Sequence, residues 1–210
     1  MEIVNIDESI VEALYTLYQK NKGTVMKNLA INEDQEAIKS IVSRFINVKK
    51  YHYGNLFWHT EPFTVHADIS EKKRSILLIP IMAHPDQKFI IFDQTTSSKV
   101  PISWIGSEFD SLNEEELKER YYINSVRHKP EDDSTVSGLT GKDIDDELMQ
   151  YLPYSRSFYH GLSGTAYDYK PNTAILFSAK NLHCTGMMAS SKMGCTVQFT
   201  EDCLSNLYLT

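Results

Sequence analysis

From residue 50 onward the chain breaks into short runs rich in β-branched and aromatic residues, with few helical stretches between them. The runs are Tyr51–Trp58, Phe63–Ile69, Ser75–Met82, Lys88–Phe92 and Lys99–Trp104, then Tyr167–Tyr169, Thr173–Ser178, Gly194–Thr200 and Leu204–Leu209. Parallel strands need a long crossover, usually a helix, whereas antiparallel strands need only a turn. A chain of many strands and few alternating helices therefore predicts a β sandwich or jelly roll rather than a parallel sheet. The cluster Ala83-His84-Pro85-Asp86-Gln87 between two of these runs has the residues of a turn.

The first fifty residues read as helical. Ile10, Val11, Leu14, Leu17 and Tyr18 recur at helical spacing behind a cap at Asp7. A second stripe, Ala37, Ile38, Ile41, Val42, Phe45 and Ile46, follows a cap at Asn32 and an acidic first turn at Glu33 and Asp34. The polar middle predicts helices at Glu114–Arg120 and Lys142–Tyr151, with a surface loop between them. The expectation is a single α+β domain over 1–210. Residues 1–50 form a helical buttress, 51–104 and 156–210 the β core, and 105–155 an insertion that covers the mouth of a site.

Charge and hydropathy narrow the function. Lys+Arg 21 against Asp+Glu 28 gives a net charge of −7, which with no basic-aromatic stripe argues against a nucleic-acid partner. The longest apolar run, Ile76 to Ala83, includes a proline and falls far short of a membrane span. The acidic start MEIVNIDESI lacks the pattern of a secretory signal. The three cysteines, Cys184, Cys195 and Cys203, have no CxxC spacing. A reduced, cytoplasmic setting is the expectation.

The most informative unit is Phe63-Thr64-Val65-His66-Ala67-Asp68-Ile69. Side chains two apart on a strand share a face, so His66 and Asp68 project together and Ala67 opposes them. An imidazole beside a carboxylate is two-thirds of a 2-His-1-carboxylate triad, which suits ferrous iron because three coordination positions stay open. The triplet alone is weak: His84-Pro85-Asp86 repeats it in the turn, and a lone strand histidine is more often a satisfied core residue. A third ligand is offered by His183, after the strand Thr173–Ser178, and Lys192 opens the next strand nine residues later. Cys184 beside His183 faces the other way on a strand and reads as packing.

His-x-Asp, a distal histidine and a basic residue about ten positions beyond it resemble the 2-oxoglutarate and Fe(II)-dependent oxygenases. The resemblance extends over residues 62–200 and is nearest to small bacterial and phage members of the prolyl-hydroxylase-like branch. Ser75–Pro80 and Phe89–Gln94 resemble the family's paired strands after the His-x-Asp. Tyr159–Ser163 and Tyr169–Phe177 resemble its approach to the distal histidine. Pro171-Asn172 stands where relatives commonly have glycine, and Lys192 where many have arginine. The 114 residues between Asp68 and His183 leave room for the insertion.

The resemblance implies a double-stranded β-helix (a jelly-roll, cupin-like core) with N-terminal supporting helices. It implies Fe(II) on His66, Asp68 and His183, with 2-oxoglutarate and O₂ as co-substrates. Lys192 would hold the remote carboxylate of 2-oxoglutarate, with a second hydrogen bond from Thr196. Tyr53 and Gln94 are further pocket candidates, placed by strand position. The implied reaction is hydroxylation of a C–H bond in an amino-acid, peptidyl or other small substrate, with decarboxylation of 2-oxoglutarate to succinate. Two rivals stand beside it: a cupin-like metalloenzyme that uses no 2-oxoglutarate, and a non-catalytic jelly-roll binding module. Arg156 is a surface residue by default, or stands at the mouth of the site. His52, His59, His128 and His160 have no partner pattern.

Overall fold

The computed structural model describes residues 1–20, 35–47, 49–69, 72–99, 101–104, 126–128 and 136–200. In chain order the elements are β1 (Glu2–Asn5), α1 (Glu8–Lys20), α2 (Gln35–Val42), β2 (Tyr51–His59), β3 (His66–Ala67), β4 (Ser75–Met82), β5 (Lys88–Thr96), β6 (Ile102–Trp104), β7 (Val126–His128), β8 (Val136–Ser137), α3 (Asp146–Met149), a 3-10 turn (Arg156–Tyr159), β9 (Gly164–Asp168), β10 (Thr173–Ser178), β11 (Asn181–Thr185) and β12 (Lys192–Phe199). One sheet has the order β1-β10-β4-β12-β2; the other runs β7-β6-β3-β11-β5-β8, with β9 also on β5. Every pairing is antiparallel except β6 with β7.

The first sheet is buried on both faces, and strand parity explains how. On β4, Leu77, Ile79 and Ile81 point to the helices while Ile76 and Leu78 point to the second sheet. Helix α1 supplies Ile10, Val11, Leu14, Leu17 and Tyr18 to the outer cluster, and α2 supplies Ile38, Ile41 and Val42. Asp7 starts α1, accepting from Ser9 N at 2.8 Å. Between the sheets lie Phe57, Ile76, Leu78, Phe89, Ile91, Ile175 and Phe177. Pro80 sits inside the central strand β4, where it cannot donate to the ladder, and the β12 partner shifts register there, between Met193 and Gly194.

Several sequence expectations are corrected. The first fifty residues do not begin as helix: β1 pairs with β10 from Glu2↔Leu176 to Asn5↔Thr173. The run Phe63–Ile69 contains a strand of only His66–Ala67, and the helix expected over Lys142–Tyr151 is the single turn α3. Thr165 and Ala166 belong to β9, upstream of the expected Tyr167–Tyr169, and the strand carrying His183 and Cys184 spans Asn181–Thr185. The described part of the insertion packs on the back of the second sheet. Val136, Ile144, Leu148 and Leu152 join Ile90, Phe92, Ala67 and Cys184 there. The cap at Asn32, the helix at Glu114–Arg120 and the strand at Leu204–Leu209 lie outside the described residues. Among the described residues no helix is long and apolar enough to cross a membrane.

Candidate metal centre and anion anchor

His66 and His183 are direct Cα partners across β3 and β11, with ring centroids 4.2 Å apart. Alternation sends Val65 and Ala67 to the back of the sheet and His66 and Asp68 to its inner face; Leu182 and Cys184 likewise oppose His183. Asp68 stands 3.9 Å from His66 Nε2 and 3.6 Å from His183 Nε2, and the ligand atoms of the three residues all lie within 4.8 Å of one another. The His183 side chain is 4% exposed and that of Asp68 34%, so the cluster is closed behind and open on the carboxylate side.

Backbone carbonyls set both imidazole tautomers. His66 Nδ1 donates to Thr64 O at 2.7 Å, and His183 Nδ1 donates to Asn181 O at 3.0 Å. A carbonyl only accepts, so each Nδ1 carries a proton and Nε2 is the nitrogen each ring turns to the cluster. Burial, and then His183, push the His66 pKa down to about 4 against the pull of Asp68. Burial lifts the Asp68 carboxyl, but His183, His66 and Lys73 together lower it more, leaving it well below the usual carboxylate range. Two imidazole nitrogens and a carboxylate converge on one point. Two imidazoles and one carboxylate suit a divalent first-row metal.

Lys192 lies between the same sheets, 2% exposed. Its Nζ donates to Thr185 Oγ1 at 2.5 Å and stands 4.7 Å from the centre of the Tyr169 ring, 5.8 Å from Phe57 and 5.9 Å from Phe89. Burial pushes its pKa down to about 7, opposed only by Cys184. A buried ammonium resting on a hydroxyl and three rings is a poor end state for a charge and a good receptor for an anion.

The other expected pocket residues fall elsewhere. Thr196 shares a face with Lys192, but four residues along a strand separate them by about 13 Å, and the Tyr169 hydroxyl and Phe57 ring sit over the bare Gly194 between them. Thr185, from the opposite sheet, is the hydroxyl that meets Lys192. Tyr53 pairs with Gln198, on the inner face but well along β12 from Lys192. Gln94 shares parity with Ile90 and Phe92 and faces the back. Its Nε2 donates to Gly138 O at 2.8 Å and its Oε1 accepts from Ser163 N at 3.0 Å, so it ties the insertion to β5.

The remaining candidates resolve simply. His84 and Asp86 face each other across 3.7 Å in the expected turn, 41% and 90% exposed. His160 pairs with Asp143, Arg156 bonds Ile144 O and Asp146, and Asp145 caps α3, so three of the four acidic residues at 143–147 have structural partners. His52 is exposed, and the His128 side chain lies outside the described residues. Asn172 adopts φ 64°, the left-handed conformation glycine takes most easily and asparagine tolerates. Sequence reasoning missed Thr185 and Tyr169, and it set His59 aside. Thr185 could have been found as the residue two beyond His183 on one strand face. Asn55 and Gln198, also on the inner face of the first sheet, each keep one buried amide oxygen with no partner among the described residues.

No family model matches the sequence, and no curated protein does. Among solved structures the chain is similar to the non-heme alpha-ketoglutarate-dependent carbocyclase SnoK from nogalamycin biosynthesis, at 10% identity and TM-score 0.45, covering 95% of this chain and 78% of that one. It is similar to the epimerase SnoN of the same biosynthesis, at 7% identity and TM-score 0.47, covering 95% and 77%. It is also similar to EvdO2 from Micromonospora carbonacea var. aurantiaca, at 10% identity and TM-score 0.46, covering 94% and 85%.

Proposed function

We propose that the chain is a non-heme Fe(II), 2-oxoglutarate-dependent dioxygenase that hydroxylates a C–H bond of an amino-acid, peptidyl or other small substrate. The observation that carries this reading is the company of two features between one pair of sheets: a His66–Asp68–His183 cluster open on one side, and a buried lysine whose hydrogen bond goes to a hydroxyl. Iron with 2-oxoglutarate and O₂ supplies the oxidation, releasing succinate and CO₂.

The chain's own residues have separable parts. His66 and His183 hold the metal through Nε2 because Thr64 O and Asn181 O occupy each Nδ1. Asp68 supplies the carboxylate and faces the open side. Lys192, steadied by Thr185, holds the remote carboxylate of 2-oxoglutarate, and Phe57, Phe89 and Tyr169 exclude water around it. The sandwich is read as a double-stranded β-helix in one domain. Supporting this, β2, β4, β10 and β12 lie in one sheet and β3, β5, β9 and β11 in the other, so most consecutive core strands alternate between sheets.

Anaerobic addition of 2-oxoglutarate to the Fe(II)-loaded protein should give a metal-to-ligand charge-transfer band. Oxygen should then be consumed in step with succinate release. Iron binding without succinate release would favour a cupin-like metalloenzyme, and absence of iron binding a non-catalytic module.

A further inference from the structure

We propose that His59 is a binding residue of the anion anchor, its imidazole joining Lys192 Nζ and Thr185 Oγ1 as a third hydrogen-bonding group for one carboxylate. The identity of that anion, the remote carboxylate of 2-oxoglutarate, rests on the function proposed above; the anchor itself rests on geometry.

His59 closes β2 as the Cα partner of Lys192 on β12, so the two side chains leave the sheet on one face. Its ring is fixed by stacking on Phe57 at 4.6 Å and Phe63 at 5.3 Å. The same Phe57 ring lies 5.8 Å from Lys192 Nζ, so imidazole and ammonium flank one aromatic ring. The stack continues from Phe63 to His66 at 4.6 Å and from His66 to His183 at 4.2 Å. His59 is thus joined by ring contacts to Phe57, beside the ammonium, on one side and through Phe63 to His66 on the other.

The imidazole is mostly buried, and its Nδ1 is sealed from solvent with no hydrogen-bond partner among the described residues. A buried polar atom left unpaired is expensive, and native structures rarely keep one without a use. Burial, aided by Lys192 and His66, holds the ring neutral, so it carries one N–H to donate. Thr185 completes the set: its hydroxyl accepts from Lys192 and keeps its own hydrogen free to give. An ammonium, a hydroxyl and an imidazole N–H offer a carboxylate more donors than either oxygen alone can use. A histidine kept only for stacking would leave nothing for its nitrogens to do, and phenylalanine would serve as well.

That contrast is the test. The Fe(II)-loaded protein is titrated anaerobically with 2-oxoglutarate and with 2-oxobutyrate, which lacks the remote carboxylate, following the charge-transfer band. His59→Phe keeps the stack and removes both nitrogens. It should weaken 2-oxoglutarate by about tenfold or more while iron and 2-oxobutyrate bind as in the wild type. His59→Gln, which keeps a donor without the ring, should recover much of the affinity. Equal 2-oxoglutarate affinity in wild type and His59→Phe overturns the assignment. Failure of the functional reading looks different: the wild type itself gives no band. Calorimetry with glutarate then decides the anchor alone. Binding lost in His59→Phe supports it; equal binding, or none in the wild type, overturns it.

Discussion

Lys192 reaches across from β12 in one sheet to donate to Thr185 Oγ1 on β11 in the other, at 2.5 Å, and among the described residues no carboxylate pairs with it. On the proposed function, that charge receives the remote carboxylate of 2-oxoglutarate. Lys192→Met keeps the length and removes the ammonium. It should raise the KM for 2-oxoglutarate by about 10–100-fold, the range of a hydrogen bond to a charged group, while iron is retained. The ligand-free variant should melt higher than the wild type, because a buried unpaired charge has gone. Steady-state kinetics, iron content and thermal melting read the three effects; an unchanged KM would move the anchor elsewhere.

The same lysine sets a pH dependence. Its folded-state pKa is lowered to about 7 from 10.5 by burial. Between these values the unfolded chain binds more protons than the folded one, so the ligand-free protein should gain stability as pH rises from about 7 towards 10.5. Below about 7 both states are protonated and the destabilisation is fully present. Affinity for 2-oxoglutarate should run the opposite way, falling as pH rises through about 7 and the free site loses its proton. Lys192→Arg keeps its charge throughout and should flatten that affinity profile. Binding titrations on the two proteins over about pH 6 to 9 check it.

Each metal ligand is tested by removal. His66→Ala, Asp68→Ala and His183→Ala should each lose iron and abolish succinate formation, since each contributes one of the three ligand atoms gathered within 4.8 Å. Metal analysis and 2-oxoglutarate turnover on the folded variants decide it. Full turnover in any of the three would remove that residue from the centre.

Part of the His66–Asp68–His183 grouping was readable from a short-range rule, that residues two apart on an extended chain share a face. Asp68 lies just past the two-residue β3 yet shares the inner side with His66, whereas His183 was pointed to by the family resemblance rather than by a local rule. The anchor was legible only in part. Lys192 stood out by spacing, but its partners come from other strands: Thr185 from β11, His59 from the end of β2, Tyr169 from just past β9. Which strands face one another is a tertiary fact, and periodicity within one run does not carry it. Gln94 shows the same limit from the other side. A glutamine in an apolar strand suggests a pocket, yet the parity of Ile90, Phe92 and Gln94 turns it to the back of the sheet. The short β1 escaped notice because its pairing with β10, not its own four residues, makes it a strand.

Gly194 makes room for the rings beside Lys192. A Cβ there would collide with the Tyr169 hydroxyl and the Phe57 ring, both of which line the Lys192 chamber. Gly194→Ala should destabilise the protein by about 1–3 kcal/mol, as overpacking does. It should also weaken 2-oxoglutarate binding, because the rings shift against the ammonium. Chemical denaturation with a parallel 2-oxoglutarate titration would show both; a variant with wild-type affinity would mean the rings can move without disturbing Lys192.

Gln94 provides the opposite case, a buried polar residue whose loss should leave the chemistry alone. Its amide donates to Gly138 O and Ser163 Oγ and accepts from Ser163 N, clamping the end of the insertion to β5 on the sheet's back face. Gln94→Leu preserves bulk but strands those groups, so stability should fall by about 1–3 kcal/mol. The KM for 2-oxoglutarate and the iron content should stay as in the wild type, since Ile91 and Phe89, not Gln94, are the β5 residues on the inner face. Denaturation midpoints and kinetics on one preparation separate the two. A raised KM with unchanged stability would return Gln94 to the pocket.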